Sequence, residues 1–280
     1  MMKLRFATFA ALTSCLALIA LTGRTARADA DFNGDGYPDI VWENSATGDV
    51  AVWLMQGTQV LQGQYIAYGI DPSWVIVGTP DLDGDGQPDI LWQNTQTGDL
   101  AYWQMNGLNF VQGSYIAYGI DPNWRVVGTP DLNGDGQPDI LWQNSSTGDV
   151  AYWIMNGATE VSSGWIAQGV DPSWRIVGTP DLNQDGSPDI LWENSTSGDV
   201  VYWLMNGVQS YDYGYIAQGV DTSWYIAGTI DLDGDGEDDI VFENSSTGDV
   251  AYWLLNGVAI KGEDYIAQGV DLNWQIAGLR

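Results

Sequence analysis

The chain has 280 residues, of which 37 are acidic, 8 are basic and none is histidine, so its formal net charge is −29. This balance disfavours DNA, RNA and anionic membranes as partners, because all three are recognised through clustered lysine and arginine. The lack of histidine removes the usual general base and the commonest metal ligand. A hydrophobic fraction of 45% and 15 tryptophans argue against a disordered chain.

The first predicted element is a secretory signal peptide, residues 1–28, which would be cleaved. A positively charged start precedes the almost wholly apolar residues 6–21, and residues 26–28 fit an A-x-A cleavage site. The apolar stretch is short for an uncleaved membrane anchor. Cys15, the only cysteine, lies in a sequence that loosely resembles a lipoprotein cleavage box, so lipidation there is a minor alternative. We expect a secreted, cell-surface or periplasmic protein whose mature form has no disulfide and does not insert into a membrane.

The rest of the chain consists of five copies of one 50-residue unit. Each copy begins with Asp-x-Asx-x-Asp-Gly-x-x-Asp-Ile, and the copies follow one another without insertion or linker. A repeat of this length indicates one supersecondary element per unit, which buries its faces against its neighbours. We predict a single domain over residues 29–280 with the units 31–80, 81–130, 131–180, 181–230 and 231–280.

Within each unit the pattern predicts β-strands and turns throughout. In the stretch 74–120, a segment rich in β-branched residues precedes the polar Asp/Gly loop, and a short strand and an alternating strand follow it. Asn106-Gly107 is typical of a two-residue hairpin turn, and the strand after it is expected to break near Gln112-Gly113. Four strands per 50 residues describe a propeller blade. The predicted strands are residues 74–82, 89–93, 99–105 and 108–119.

The register of the repeat predicts a closed ring. The first unit lacks the strand that precedes its loop, whereas residues 274–280 are such a strand without a loop after it. We predict an all-β, five-bladed β-propeller of four-stranded antiparallel blades, in which this C-terminal strand pairs with residues 39–44 and completes the first blade. An open solenoid would leave exposed edges and would need capping units. Closure also predicts a narrow central channel lined by Gly78, Gly128, Gly178, Gly228 and Gly278.

The Asp/Gly loops have the ligand spacing of a calcium loop. Oxygen-bearing side chains stand at positions 1, 3, 5 and 9, glycine at position 6 takes the sharp turn, and position 7 would contribute its carbonyl oxygen. Oxygen ligands without histidine or cysteine select a hard cation. We name residues 31–39, 81–89, 131–139, 181–189 and 231–239 loops one to five, and predict up to five calcium ions. The predicted ligands are Asp31, Asn33, Asp35, Tyr37 and Asp39; Asp81, Asp83, Asp85, Gln87 and Asp89; Asp131, Asn133, Asp135, Gln137 and Asp139; Asp181, Asn183, Asp185, Ser187 and Asp189; Asp231, Asp233, Asp235, Glu237 and Asp239.

Two features separate these loops from helix–loop–helix calcium sites. Position 12 is an aromatic residue, such as Trp92, where the bidentate glutamate would stand, and the flanking segments are strands. We therefore expect affinities at the weak, extracellular end, about 10⁻³ to 10⁻⁵ M, and a structural role for the ion. The alternative is a solvated acidic turn without metal.

Each unit, with its W-x-[VI]-x-G-T-x-D-L segment running into the Asp loop, resembles the FG-GAP/VCBS repeat family over residues 31–280. The resemblance implies a β-propeller that binds calcium in the loop between the first two strands of a blade. The family includes the heads of integrin α-subunits, which have seven blades, so their ligand-binding surface is not implied for a five-unit chain. It also includes relatives among propeller lectins and domains attached to secreted polysaccharide enzymes.

Aromatic residues recur at four positions of the unit. The sets that begin with Trp42 and Trp53 are interpreted as packing between blades. The other two sets are expected at the rim, where aromatic rings stack on sugar rings, and five copies would add avidity. Packing between outer strands explains these two sets equally well. The candidate ligand-binding residues are Trp74, Trp124, Trp174, Trp224 and Trp274, with Tyr65, Tyr115, Trp165, Tyr215 and Tyr265.

These observations favour a monomeric, non-catalytic binding module. An active site is normally unique, whereas nearly every polar residue here recurs in all units, and no nucleophile stands with a base. The expected ligand is carbohydrate, which would make the protein lectin-like, so the expected partner is a glycan or a cell-surface protein. Alternatives are a protein-adhesion or structural module of the cell surface and, less favoured, a polysaccharide lyase or hydrolase.

Overall fold

A computed structural model describes residues 30–279, so the predicted signal peptide and Cys15 lie outside the described residues. Twenty β-strands form five separate four-stranded antiparallel sheets. Among residues 30–279 no helix is long and apolar enough to span a membrane. The strands are β1 (Ile40–Asn44), β2 (Val50–Gln56), β3 (Gln59–Ala67), β4 (Trp74–Gly78), β5 (Ile90–Asn94), β6 (Leu100–Asn106), β7 (Asn109–Ala117), β8 (Trp124–Gly128), β9 (Ile140–Asn144), β10 (Val150–Asn156), β11 (Thr159–Ala167), β12 (Trp174–Gly178), β13 (Ile190–Asn194), β14 (Val200–Asn206), β15 (Gln209–Ala217), β16 (Trp224–Ile230), β17 (Asp239–Asn244), β18 (Val250–Asn256), β19 (Ala259–Ala267) and β20 (Trp274–Ala277).

The sheets are the blades of a closed propeller, as the sequence predicts. Blade one has the order β20-β1-β2-β3, and blades two to five are β4–β7, β8–β11, β12–β15 and β16–β19. The C-terminal strand pairs with β1 in antiparallel register, Val41 opposite Ala277 and Asn44 opposite Trp274. This pairing closes the ring and gives β1 a neighbour on both sides, so that blade one has four strands like the other blades.

Proline decides where the innermost strand of a blade ends. The predicted strand 74–82 stops at Gly78 in blade two, before Thr79-Pro80. Proline has no N–H to donate to the ladder, although Pro80 O still accepts from Asp89 N at 2.9 Å. In blade five Ile230 replaces it, and β16 continues until Ile230 pairs with Asp239. The expected end of this strand was therefore wrong in blade two and nearly right in blade five.

The outermost strand is continuous but bulged. In blade two Gln104 lies opposite Gln112, whereas Met105 lies opposite Phe110, so Val111 has no partner in the ladder. The break expected near Gln112-Gly113 is thus a β-bulge, which bends the strand without ending the pairing. All five outer strands have a register shift at this point.

The blades pack through paired aromatic rings, as predicted for the first two tryptophan sets. Trp42, Trp92, Trp142 and Trp192 are 2% exposed and Phe242 is 3% exposed. Each packs on the tryptophan of the neighbouring strand, which adds apolar area to the core. The ring-centroid distances are 4.6 Å for Trp42–Trp53, 4.9 Å for Trp92–Trp103, 4.9 Å for Trp142–Trp153, 4.8 Å for Trp192–Trp203 and 4.6 Å for Phe242–Trp253.

The innermost strands meet at small residues. A Cβ on Gly78 would lie 2.9 Å from Cγ2 of Thr129 in the next blade, and one on Gly128 would lie 2.8 Å from Cγ2 of Thr179. Larger side chains at these glycines would force the inner strands apart. The glycines predicted to line the centre therefore lie where the blades converge, and the channel itself stays a prediction.

A buried acidic or amide side chain in the second strand fastens each blade to the next. In blade two, Gln93 Nε2 donates to Trp124 O at 2.8 Å, and Gln93 Oε1 accepts from Val126 N at 3.2 Å. In blade one the equivalent residue is Glu43, whose Oε2 accepts from Ile76 N at 3.1 Å. Burial raises the pKa of Glu43, and this hydrogen bond offsets part of the rise.

We expect Glu43→Gln to stabilise the protein near pH 8 by about 1 kcal/mol, because it removes a buried charge and supplies an amide donor. The pKa of Glu43 is raised by folding, so the charged side chain lowers stability above that pKa. The penalty disappears as pH falls below the unfolded value of about 4.3. Urea unfolding at pH 8 and pH 4 measures the difference, which should shrink at pH 4. Gln93→Glu is the matched control and should destabilise at pH 8. Equal effects of Glu43→Gln at both pH values would contradict this explanation.

Candidate metal centre

Loops two to five connect the innermost strand to the second strand of their blades, loop one precedes β1, and each loop folds around the carboxylate at position 1. In loop two, Asp81 Oδ1 accepts from Gly84 N at 2.8 Å and Asp85 N at 3.2 Å. Its Oδ2 accepts from Gly86 N at 2.9 Å, and Gly86 has the positive φ of 87° expected for position 6. Backbone N–H groups thus hold the first carboxylate in place.

The carboxylate at position 9 is the buried end of the site. Asp89 is fully buried, its Oδ2 accepts from Leu82 N at 3.1 Å, and its Oδ1 accepts from Met105 N at 2.9 Å. It therefore ties the loop to the third strand of the blade. Burial raises the pKa of this carboxyl to about 6, and the carboxylates at positions 1 and 3 add to the rise. Burial likewise raises the pKa to about 7 for Asp39 and to about 6 for Asp139, Asp189 and Asp239.

The carboxylates at positions 1, 3 and 9 converge. Oxygens of Asp81, Asp83 and Asp89 all lie within 4.8 Å of one another, and the same holds for Asp231, Asp233 and Asp239. Position 5, which was predicted as a fourth side-chain ligand, is not part of either cluster. In loop two, Asp85 Oδ1 instead accepts from Gln87 N at 2.8 Å.

Loops one, three and four have asparagine at position 3 and keep the same local conformation. Asn133 Oδ1 accepts from Asp135 N at 2.8 Å, as Asp83 Oδ1 accepts from Asp85 N at 3.0 Å. Three oxygens around one point, two or three of them charged, repel one another unless a cation lies between them. This donor set fits a hard divalent cation, because such ions prefer carboxylate and carbonyl oxygens.

The side chain at position 7 has a role that the sequence did not reveal. Gln87 Oε1 accepts from Gly107 N at 2.5 Å in the hairpin turn of the same blade. Gln137 and Glu237 make the same contact with Gly157 at 2.7 Å and Gly257 at 2.5 Å. The sequence pattern identified only the backbone carbonyl here, because the hairpin turn lies 20 residues further along the chain.

Each loop also contacts the hairpin turn of the next blade. A Cβ on Gly157 in blade three would lie 3.1 Å from the carbonyl oxygen of Leu82 in loop two. The same approach links Gly107 with Phe32, Gly207 with Leu132, Gly257 with Leu182, and Gly57 with Leu232. The last contact joins blade one to loop five, so the loops connect neighbouring blades around the whole ring.

In blades one, two, three and five of the described chain, but not in blade four, the two aromatic sets predicted as ligand-binding come together. The inner tryptophans Trp74, Trp124 and Trp224 are half-buried, and the outer rings, Trp165 among them, are exposed by 43–55%. The ring-centroid distances are 5.8 Å for Trp274–Tyr65, 6.0 Å for Trp74–Tyr115, 5.7 Å for Trp124–Trp165 and 6.1 Å for Trp224–Tyr265.

In blade three the aromatic pair borders a cleft of about 400 Å³. Its lining includes Trp124, Trp165, Trp153 and Trp142. The indole N–H of Trp142 is buried and has no hydrogen-bond partner among residues 30–279. The equivalent indoles of Trp42, Trp92 and Trp192 are also buried without a partner in the described chain, so this is a feature of the repeat's packing and not of the cleft.

Two further aromatic residues were missed from the sequence. Tyr68 and Tyr118 are 70% and 71% exposed. They stack on Tyr65 and Tyr115 at centroid distances of 5.1 Å and 4.6 Å. Units one and two read Tyr-Ile-Ala-Tyr-Gly where the other three have Gln before Gly, and this difference is the signal that could have identified them.

Comparison with known proteins agrees with this architecture. A family model described as "FG-GAP-like repeat" matches residues 31–92, 81–142 and 131–192. No curated protein matches the chain in sequence.

Among solved structures, the chain resembles a chain in the crystal structure of a nidogen/laminin complex, with a TM-score of 0.52. The two chains are 10% identical, and the match covers 86% of this chain and 96% of that chain. This likeness shows the fold alone. The V. cholerae biofilm matrix protein Bap1 matches with 21% identity, 85% and 38% coverage and a TM-score of 0.34. A Photorhabdus luminescens Tc holotoxin pore matches with 13% identity, 92% and 11% coverage and a TM-score of 0.46. With its five blades and the family match over 31–192, the chain belongs to the FG-GAP-like repeat family.

Proposed function

We propose that the chain is a secreted, calcium-stabilised propeller that acts as a non-catalytic binding module for carbohydrate. The observation that carries this proposal is the pairing of a half-buried tryptophan with an exposed aromatic ring on the blades. Two rings at such distances present apolar faces at the surface, and aromatic faces are the usual platform for the C–H side of a sugar ring.

Calcium would be held by the oxygens at positions 1, 3 and 9 of the loops, with the carbonyl oxygen at position 7. The ion would neutralise carboxylates that otherwise repel one another. Because each loop contacts the hairpin turn of the next blade, ordering a loop stabilises the junction between two blades. The ion's role in this proposal is therefore structural.

The cleft of blade three has the chemistry of a sugar site. Its volume of about 400 Å³ lies in the ordinary range of small-ligand pockets. Trp124 and Trp165 supply stacking faces. Related pairs on other blades would raise the affinity for a polymer through avidity.

The recurrence of the same carboxylates in all five blades argues against catalysis. The carboxyl groups whose pKa lies nearest neutrality belong to Asp39 and its four counterparts. Each of them accepts two backbone hydrogen bonds in the same arrangement, as Asp39 does from Phe32 N and Met55 N. Five equivalent, fully buried carboxylates serve the structure of the loops, whereas a catalytic pair would be unique and open to substrate.

A glycan array probed with the protein in 2 mM calcium tests the proposal. We expect selective binding to a small group of glycans, and Trp165→Ala should reduce it about tenfold, because stacking area and avidity are both lost. Tyr213→Ala is the matched control, since Tyr213 is 73% exposed and lies outside the aromatic pairs described above. An array without ligands would contradict the proposal, and so would equal losses in both variants. Binding to a matrix protein alone would indicate an adhesion module, and turnover of a polymer would indicate an enzyme.

A further inference from the structure

In blades four and five the β-bulge of the outer strand brings one residue to the metal loop of the same blade. In blade five the bulge residue is Lys261, because Leu254 lies opposite Gly262 and Leu255 opposite Ile260. Its Nζ lies 3.0 Å from Asp233 Oδ2 and also contacts Asp235 Oδ2. The ammonium group of Lys261 thus contacts two of the residues predicted as calcium ligands in loop five, Asp233 and Asp235.

The equivalent residue differs from blade to blade. In blade four it is Tyr211, a neutral residue, whose hydroxyl accepts from Asn183 Nδ2 at 2.7 Å. In blades one, two and three it is Leu61, Val111 or Val161, which are 53–58% exposed and carry no charge. Lys261 is the only cation at this position, and it offsets one charge of loop five, which has six acidic residues where loops one to four have three or four.

We propose that Lys261 is an internal counter-ion of loop five that competes with calcium, so that the loops fall into two affinity classes. The inference rests on the proposed calcium role of the loops. A cation that enters loop five must displace the ammonium group of Lys261 from Asp233 and then remain close to that ammonium group. Both requirements oppose binding. The side chain of Lys261 is 29% exposed, so water and salt screen part of the effect.

Because Lys261 supplies a positive charge to the loop, loop five keeps its shape without a metal ion. The ammonium group neutralises part of the charge that the cluster of Asp231, Asp233 and Asp239 would otherwise carry. A further hydrogen bond, from Gln184 Nε2 to Glu237 Oε1 at 3.0 Å, joins loop four to loop five. The junction of blades four and five therefore depends less on calcium than the junctions of blades one to three.

Two reciprocal variants test the inference. Lys261→Val gives loop five the bulge residue of loop three, and Val161→Lys gives loop three the residue of loop five. Calcium titration calorimetry of the full chain should show one site about tenfold tighter in Lys261→Val than in the wild type. In Val161→Lys one tight site should become about tenfold weaker. Both changes should shrink at high ionic strength, because salt screens exposed charges.

Melting without calcium gives a second readout. Lys261→Val should melt lower than wild type in excess chelator, because loop five loses its internal cation, and higher than wild type in 10 mM calcium. Leu272→Lys is the control for net charge, since Leu272 is exposed and precedes β20 at the opposite end from the loops. It should leave the calcium titration unchanged.

The outcomes separate this inference from the function on which it rests. A wild type that binds calcium, with both reciprocal variants giving the same titration as wild type, would overturn the role of Lys261 and leave the calcium proposal standing. A wild type that binds no calcium would overturn both. Equal weakening by Val161→Lys and Leu272→Lys would show that net charge, and not position, is responsible, and would also overturn the inference.

Discussion

Removing calcium is expected to lower the melting temperature of the protein by at least about 10 °C. At about 1 mM free calcium and a dissociation constant near 10⁻⁵ M, each occupied loop would stabilise the fold by about 2.7 kcal/mol. For a domain of this size, each kcal/mol shifts the melting temperature by about 2–4 °C. Several loops act together because each one contacts the hairpin turn of the next blade.

Differential scanning calorimetry with and without chelator measures this shift. Magnesium at the same concentration is the control, because it prefers strict octahedral geometry and should restore little of the loss. A melt that is the same in excess chelator and in calcium would show that the loops are solvated acidic turns, the alternative that the sequence left open.

Gly198→Ala is expected to be the most damaging single substitution in the turn between β13 and β14. Gly198 has a φ of 71°, and its added Cβ would lie 1.8 Å from the carbonyl oxygen of Val220. Val220 N donates to Gly198 O at 2.9 Å, so the two segments cannot separate without losing that bond. We expect a loss of about 4 kcal/mol or more, because backbone must move.

Gly219→Ala is the matched control for Gly198→Ala. Gly219 also has a positive φ, 66°, but an added Cβ would meet nothing within 4 Å. The left-handed conformation alone costs about 1 kcal/mol for alanine. Urea unfolding of both variants measures the difference, and equal losses would show that the contact with Val220 does not constrain the turn.

The repeat explains why so much of the fold could be predicted. Five aligned copies showed which positions are structural, and the Asn-Gly turns and Asp loops gave the strand limits to within a few residues. The missing strand of the first unit predicted the pairing of β20 with β1. Unit five has Ile230 at the position of Pro80 in unit two, and this difference was visible in the sequence. The innermost strand is longer in unit five because isoleucine has the backbone N–H that proline lacks.

Contacts between units could not be predicted in the same way. The approach of Gly157 to Leu82 joins two loops from different blades, and nothing in either local pattern indicates it. The contact of Lys261 with Asp233 depends on the bulge in β19, which changes the residue that reaches the loop. The predicted side chain at position 5, Asp85 in loop two, lies outside the cluster of positions 1, 3 and 9, and the linear spacing does not indicate which oxygens converge.

A count of bound metal tests the central claim most directly, namely that divalent cations in the Asp loops hold neighbouring blades together. Native mass spectrometry of the protein after equilibration with 1 mM calcium gives the number of ions per chain. We predict three to five calcium ions, and their loss together when Asp39, Asp89, Asp139, Asp189 and Asp239 are all replaced by asparagine. A folded chain that carries no calcium under these conditions would contradict the account.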